Sequence, residues 1–355
     1  MQQTQLFKRI TGHQMIHIEE TVINNLILHR INHGENKSVL SDSEFDYANE
    51  EEEKLLKKVF LKHFTTVSAT CEFKHAVNID YNVLFKLSKA LYEGGNFIEH
   101  SKNIAQHLIS TATHPNIKEG DLFIVKFEDI RFDNKHYQGL GVYKFEDKES
   151  FIDAAVINKQ VTFKLRKGIG AKKPDKACLI LFTEEPYTVL ILDNNNNETD
   201  YWQNDFINHR FKNDHINNTN DFLALTRDYI TNQIGEDFAI SKADKIDLLN
   251  RSVDYFKTNE NFDKQDFEEK VFFEAGVIDS FRKYDEGYRK EHQLDFADNF
   301  EISIQAVKKQ ARNFKSILKL DKNFHIYIHG NRELIEHGQE RDGRKFYKIY
   351  FEEES

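Results

Sequence analysis

Cations are the residues whose spacing most clearly suggests chemistry. Lys164, Arg166, Lys167, Lys172, Lys173 and Lys176 fall within 13 residues, with Asp175 the only acid among them. Gly168, Gly170 and Pro174 make the middle of this stretch a loop. A cationic loop with backbone N–H groups can follow a phosphate backbone without reading bases. Lys308, Lys309, Arg312 and Lys315 form a second cluster. On a helix, Lys308, Arg312 and Lys315 would fall within about 60° of one another. Each cluster has two readings: a grip on nucleic-acid phosphates, or a solvated face whose lysine stems cover apolar surface.

A set of carboxylates offers a different chemistry. Metal-dependent nucleases place one acid before a strand and an E-x-K triplet at the end of another, so that the carboxylates hold Mg2+ and the lysine stabilises charge. Asp121 or Asp133 could combine in this way with Glu146 and Lys148, the triplet Glu146-Asp147-Lys148 closing the run Leu140–Phe145. The alternative is a charged hairpin turn, since such triplets arise by chance in a chain with 30% charged residues. Histidine pairs carry less. His13 and His17 stand four apart, but Gln14 occupies the position where a zinc-protease helix has glutamate. His325 and His329 are also four apart, and on a strand they would lie about 13 Å from one another, too far for one ion. Gly139-Leu140-Gly141 and Gly168-Ile169-Gly170 lack a third glycine and read as tight turns. Neither a P-loop nor a GxSxG turn occurs. No catalytic residue, metal or cofactor is assigned.

The chain that must present these groups has 355 residues and a formal net charge of −10, from 49 Lys+Arg and 59 Asp+Glu. That balance argues against a wholesale nucleic-acid coat but permits local basic patches. The 30 Phe, 14 Tyr and one Trp supply large buried areas and exclude a disordered chain. Only Cys71 and Cys178 occur, far apart, which excludes a disulfide scaffold or a CxxC site and suits a reducing cytoplasm. No apolar run approaches the ~18 residues of a membrane span, and the opening MQQTQLFKRITGHQ lacks a secretory apolar region. A cytoplasmic protein without a membrane partner is expected.

The positioning elements follow from periodicity. Val22–Ile31 reads as a buried strand. Glu50–Phe64 reads as a helix, with Leu55, Leu56, Val59, Phe60 and Phe64 at helical spacing and glutamates at its start complementing the helix dipole. Tyr81–Tyr92 and Phe97–Ile109 are two more helices, broken by Gly94-Gly95. Asp121–Ile130, Leu140–Phe145, Val161–Arg166, Ala177–Phe182 and Val189–Asp193 predict an antiparallel meander. From about residue 206 helices return at Asn220–Ile234, Ser241–Lys257, Asp263–Phe273, Asp279–Tyr288 and Ser303–Phe314. Ser241 caps the second of these. Phe324–His329, Arg332–His337 and Lys345–Phe351 close the chain as strands, with Asp342-Gly343 as a hairpin turn. The predicted class is α+β: a mixed helix and antiparallel-sheet domain over 1–205, then a helical domain over 206–355 closed by a β-hairpin.

Several segments recur in a known order. They are Ile23–Ile31, Leu40-Ser41-Asp42, Leu61-Lys62-His63-Phe64, Phe97–Leu108, Ile117–Phe123, Asp175–Leu181 and Tyr201–Phe206. In this order they resemble the bacterial nucleoid-associated protein family (NdpA-like) over nearly the whole chain. The resemblance implies a mixed α+β body and association with the nucleoid and DNA. The main expectation is therefore a non-catalytic protein of the cytoplasmic nucleoid. It would hold double-stranded DNA by its phosphates through Lys164, Arg166, Lys167, Lys172, Lys173, Lys176, Lys308, Arg312 and Lys315. Sequence specificity should be low, because no recognition helix presents an Asn/Gln/Arg set to base edges. A Mg2+-dependent nuclease is a second reading, as is a phage-defence component acting on DNA, since relatives occur among defence genes. A third is an interaction scaffold or homodimer using Phe281, Tyr284 and Tyr288, unless these aromatics simply fill the core.

Overall fold

Runs of β-branched and aromatic residues organise the first part of the chain around one antiparallel sheet. The computed structural model describes residues 16–32, 37–67, 69–194, 200–314, 317–328 and 334–353. Their contacts divide into two units, one within residues 14–212 and one within residues 213–355. The first unit contains β1 (Ile16–His17), β2 (Val22–Ile31), α1 (Glu50–Leu61), β3 (Cys71–Phe73), α2 (Val83–Tyr92), α3 (Phe97–Thr111), β4 (Gly120–Phe132) and β5 (Lys135–Phe145). It continues with β6 (Glu149–Ile157), β7 (Gln160–Gly168), β8 (Lys176–Leu181), β9 (Thr188–Asp193) and β10 (His209–Phe211).

The sheet runs β1-β4-β5-β8-β9-β3-β10, and β2 also pairs with β4. The β8 sequence KACLIL is buried along its whole length, as suits a strand covered on both faces. On one face Ile124, Val142, Cys178 and Ile180 pack with Leu84 and Phe85 of α2 and Ile104 and Leu108 of α3. On the other, Phe60 of α1 and Phe64 just beyond it lie 4.7 and 6.1 Å from the Tyr143 ring of β5. Asn49 caps α1 by accepting the Glu51 and Glu52 N–H groups. The β6–β7 pair forms a separate two-stranded ribbon, and β6 has no counterpart among the strands expected from sequence.

Gly139 and Gly141 are not a turn. Both lie within β5. A Cβ at Gly141 would come within 2.4 Å of Tyr143, and one at Gly139 within 2.6 Å of the Ile130 side chain. The glycines make room for neighbours, so the strand runs on through them to Lys135.

The second unit contains α4 (His215–Asp228), α5 (Ile234–Asp237), α6 (Lys242–Thr258), β11 (Asn261–Asp263), α7 (Lys264–Val271) and α8 (Ala275–His292). It ends with β12 (Asn299–Glu301), α9 (Ile304–Gln310) and the hairpin strands β13 (Ile317–Leu320), β14 (Phe324–Tyr327), β15 (Ile335–Gln339) and β16 (Lys345–Ile349). The class is thus α+β, with hairpins at the C-terminal end. Ser241 and Asp244 form a capping box at the start of α6. The core is aromatic: Phe222, Phe256, Phe262, Phe267 and Phe281 are buried together, Phe222 and Phe262 with centroids 4.2 Å apart. Phe281 therefore fills the core and is not available to a partner. Tyr284 and Tyr288 are half-buried against it.

Candidate nucleic-acid interface

Strand alternation distributes the cations of the first cluster. Lys164 and Arg166 of β7 lie opposite Asp153 and Phe151 of β6, and Arg166 Nε donates to Asp153 Oδ2 at 2.6 Å. Lys167, opposite Ser150, faces the other side of the ribbon. Lys172 and Lys173 are half-buried in the loop 169–175.

Lys176 is the first residue of β8, between Lys144 of β5 and Asp193 of β9. It is buried, and its ammonium donates to Asp193 at 2.7 Å. Beside it, the fully buried Lys144 donates to the Lys118 carbonyl at 2.7 Å, to Glu146 at 2.8 Å and to the Tyr201 hydroxyl at 3.2 Å. Burial lowers the Lys144 pKa, and the attraction of Glu146 offsets part of that effect. Lys176 thus belongs to a sealed row of two lysines and two carboxylates inside the unit. Its charge is turned inward.

A further cationic surface stands on α1. Lys54, Lys58 and Lys62 recur at every fourth residue and are exposed, which places them within an arc of about 80°. Together with Lys57, Ile18, Glu19, Glu50 and Glu53 they line an open cleft of about 410 Å3. Lys57 bonds Glu53 at 2.9 Å and Lys54 reaches Glu50 at 3.6 Å. Lys58 and Lys62 lie beyond these acids, toward the helix C-terminus. His63, the next residue, donates from Nε2 to the Ala171 carbonyl at 3.3 Å. That bond fastens the loop carrying Lys172 and Lys173 to the turn carrying Lys62. The sequence reading missed Lys54, Lys58 and Lys62. Their fourfold spacing was the available signal, and the run of glutamates before them drew the helix into an acidic reading.

In the second unit, Lys308, Lys309 and Arg312 are exposed. Here α9 ends at Gln310, and residues 311–314 continue as turns. Arg312 consequently leaves the helical face that its spacing from Lys308 implied. Lys315 lies outside the described residues.

The nuclease-like acids occupy two separate places. Asp121, at the start of β4, accepts from Arg30 at 2.6 Å and pairs with Lys148 at 2.9 Å. Burial works to raise its pKa, but the bonds and charges of Lys148 and Arg30 prevail and hold it below the ordinary value. Glu146 is committed to Lys144. Asp133 stands in the turn at the far end of β4, twelve residues or roughly 40 Å along the strand from Asp121, so it cannot share an ion with Glu146. His17 is on β1 and His325 on β14, while His13 and His329 lie outside the described residues. Among the described residues, no group of three or more His, Cys, Asp or Glu is arranged to hold a metal ion. No helix among them is long and apolar enough to cross a membrane.

Compared with known proteins, the chain matches the family model described as nucleoid-associated protein YejK over residues 27–346. No curated protein matches it.

Proposed function

Because the chain belongs to the nucleoid-associated protein YejK family, we propose that it holds double-stranded DNA in the nucleoid by the phosphate backbone, with low sequence specificity and without a catalytic step. The observation that carries this reading is the His63–Ala171 hydrogen bond, which draws two basic segments, 108 positions apart, onto neighbouring parts of one unit. Lys58, Lys62, Lys172 and Lys173 supply the grip. Each ammonium is a mobile point donor to phosphate oxygens, and each contact releases condensed counterions. Lys164 and Arg166 extend the contact along one face of the ribbon, with Arg166 partly neutralised by Asp153. Lys308, Lys309 and Arg312 offer a second contact on the other unit. With a net charge of −10, the remaining surface repels DNA, so the grip is local and sensitive to salt.

Anisotropy titrations of two unrelated duplexes across a salt series test this. Lys172→Glu/Lys173→Glu and Lys58→Glu/Lys62→Glu should each weaken both duplexes alike. Each should also reduce the slope of log affinity against log salt by about two. Unchanged affinity and slope, or a loss confined to one duplex, would overturn the assignment.

A further inference from the structure

We infer that the β6–β7 ribbon is a self-association element, packing one of its faces on the same face of a second copy of this chain. Register gathers most of the ribbon's apolar side chains on one face. Ile152 opposite Leu165, Ala154 opposite Phe163 and Val156 opposite Val161 share one face, with Ser150 and Lys167 at its base. The other face is mixed: Phe151 and Ile157 lie among Glu149, Asp153, Lys164 and Arg166, and Asp153 there bonds Arg166. The first face is the more apolar of the two, as on a sheet covered on one side. Yet Ile152, Val156, Val161, Phe163 and Leu165 are between 64% and 82% exposed. A lone two-stranded ribbon is marginal in water, and this one bears its largest apolar side chains outward.

The occupant follows from chemistry and area. Side chains of this size expose roughly 150–200 Å2 when free, so the five leave about 600 Å2 bare. Two such faces would bury about 1,200 Å2, the lower bound for a specific interface. A nucleic acid would need donors and cations, and this face has one cation, at its base. A two-fold contact instead requires a patch that is its own complement. An apolar centre meets that condition, because no charge is brought against its own image. Phe163 beside Ala154 supplies a ridge next to a recess, so a two-fold mate can seat its phenylalanine over the alanine. Ser150 and Lys167 then form the wet rim. The inference holds whether or not the lysine surface grips DNA.

Sedimentation equilibrium on the full chain tests it. The wild-type chain should form dimers. Val161→Glu/Leu165→Glu should weaken them by roughly a hundredfold, since each carboxylate would be buried against apolar surface. Gln160→Glu, on the opposite face, should leave them intact, with circular dichroism unchanged in both variants. Cys71 and Cys178 are buried, so a nitroxide can be directed to Ser150→Cys at the rim. Pulsed dipolar spectroscopy should then report a distance between copies that Val161→Glu/Leu165→Glu abolishes. A chain monomeric at every concentration, a dimer indifferent to Val161→Glu/Leu165→Glu, or a dimer without coupling between the labels would overturn the inference.

Discussion

His29 shows how one buried side chain ties stability to acidity. It is fully buried on β2. Its Nδ1 accepts the Ser41 backbone N–H at 3.0 Å, so Nε2 carries the hydrogen and donates to Ser101 Oγ at 3.1 Å. That hydroxyl passes its own hydrogen to the Ile98 carbonyl at 2.8 Å. The imidazole must stay neutral to keep the chain of bonds. Burial, helped by the nearby Lys102, lowers its pKa to about 4, against 6.5 for an ordinary histidine. Between those values the unfolded chain holds a proton that the folded one refuses. The contribution is therefore complete above the ordinary pKa and is lost as pH falls toward the folded value, by at most roughly 3 kcal/mol. The melting temperature of the wild-type chain should drop more between about pH 7 and about pH 5 than that of His29→Asn, which keeps an acceptor near Nδ1. An equal drop in both would assign the slope to other groups.

At the scale of elements, Asn82 joins three of them. Its Oδ1 caps α2 by accepting the Phe85 N–H at 2.9 Å. Its Nδ2 donates to the carbonyls of Lys74, Ile207 and Asn208 at 3.0, 2.9 and 3.0 Å. Asn82→Ala should cost roughly 2–3 kcal/mol, the lost cap plus the lost bond to the buried Ile207 carbonyl. Asn82→Asp keeps the cap but turns an oxygen toward those carbonyls, so chemical denaturation should find it no better than alanine. An aspartate variant as stable as wild type would reduce the residue to its cap. Features that depend on near neighbours were legible in the sequence, among them the buried strand Val22–Ile31 and the Ser241 cap. Strand β6 was not. Its adjacent apolar pairs Phe151-Ile152 and Val156-Ile157, around Ala154-Ala155, hide the twofold period. Nor was the fate of Lys176, because Asp193 reaches it only through the pairing of β8 with β9. The junction of Lys62 with Lys172 rests on a contact across 108 positions, which no local pattern reveals.

At the scale of the whole molecule, each unit has its own core, one under the sheet and one of stacked aromatics. Calorimetry of the full chain should accordingly depart from a single two-state transition. His29→Asn and Asn82→Ala should displace only the component belonging to residues 14–212. One transition that both variants move as a whole would mean the units unfold together. The sealed lysines bring a practical consequence. Amine-acylating reagents count the ammonium groups that water can reach, and Lys144 and Lys176 are closed to it. These two side chains should stay unlabelled whether or not a ligand shields Lys58, Lys62, Lys172 and Lys173. They furnish a built-in silent standard for footprinting, and their first modification would mark a breached sheet rather than a departed ligand.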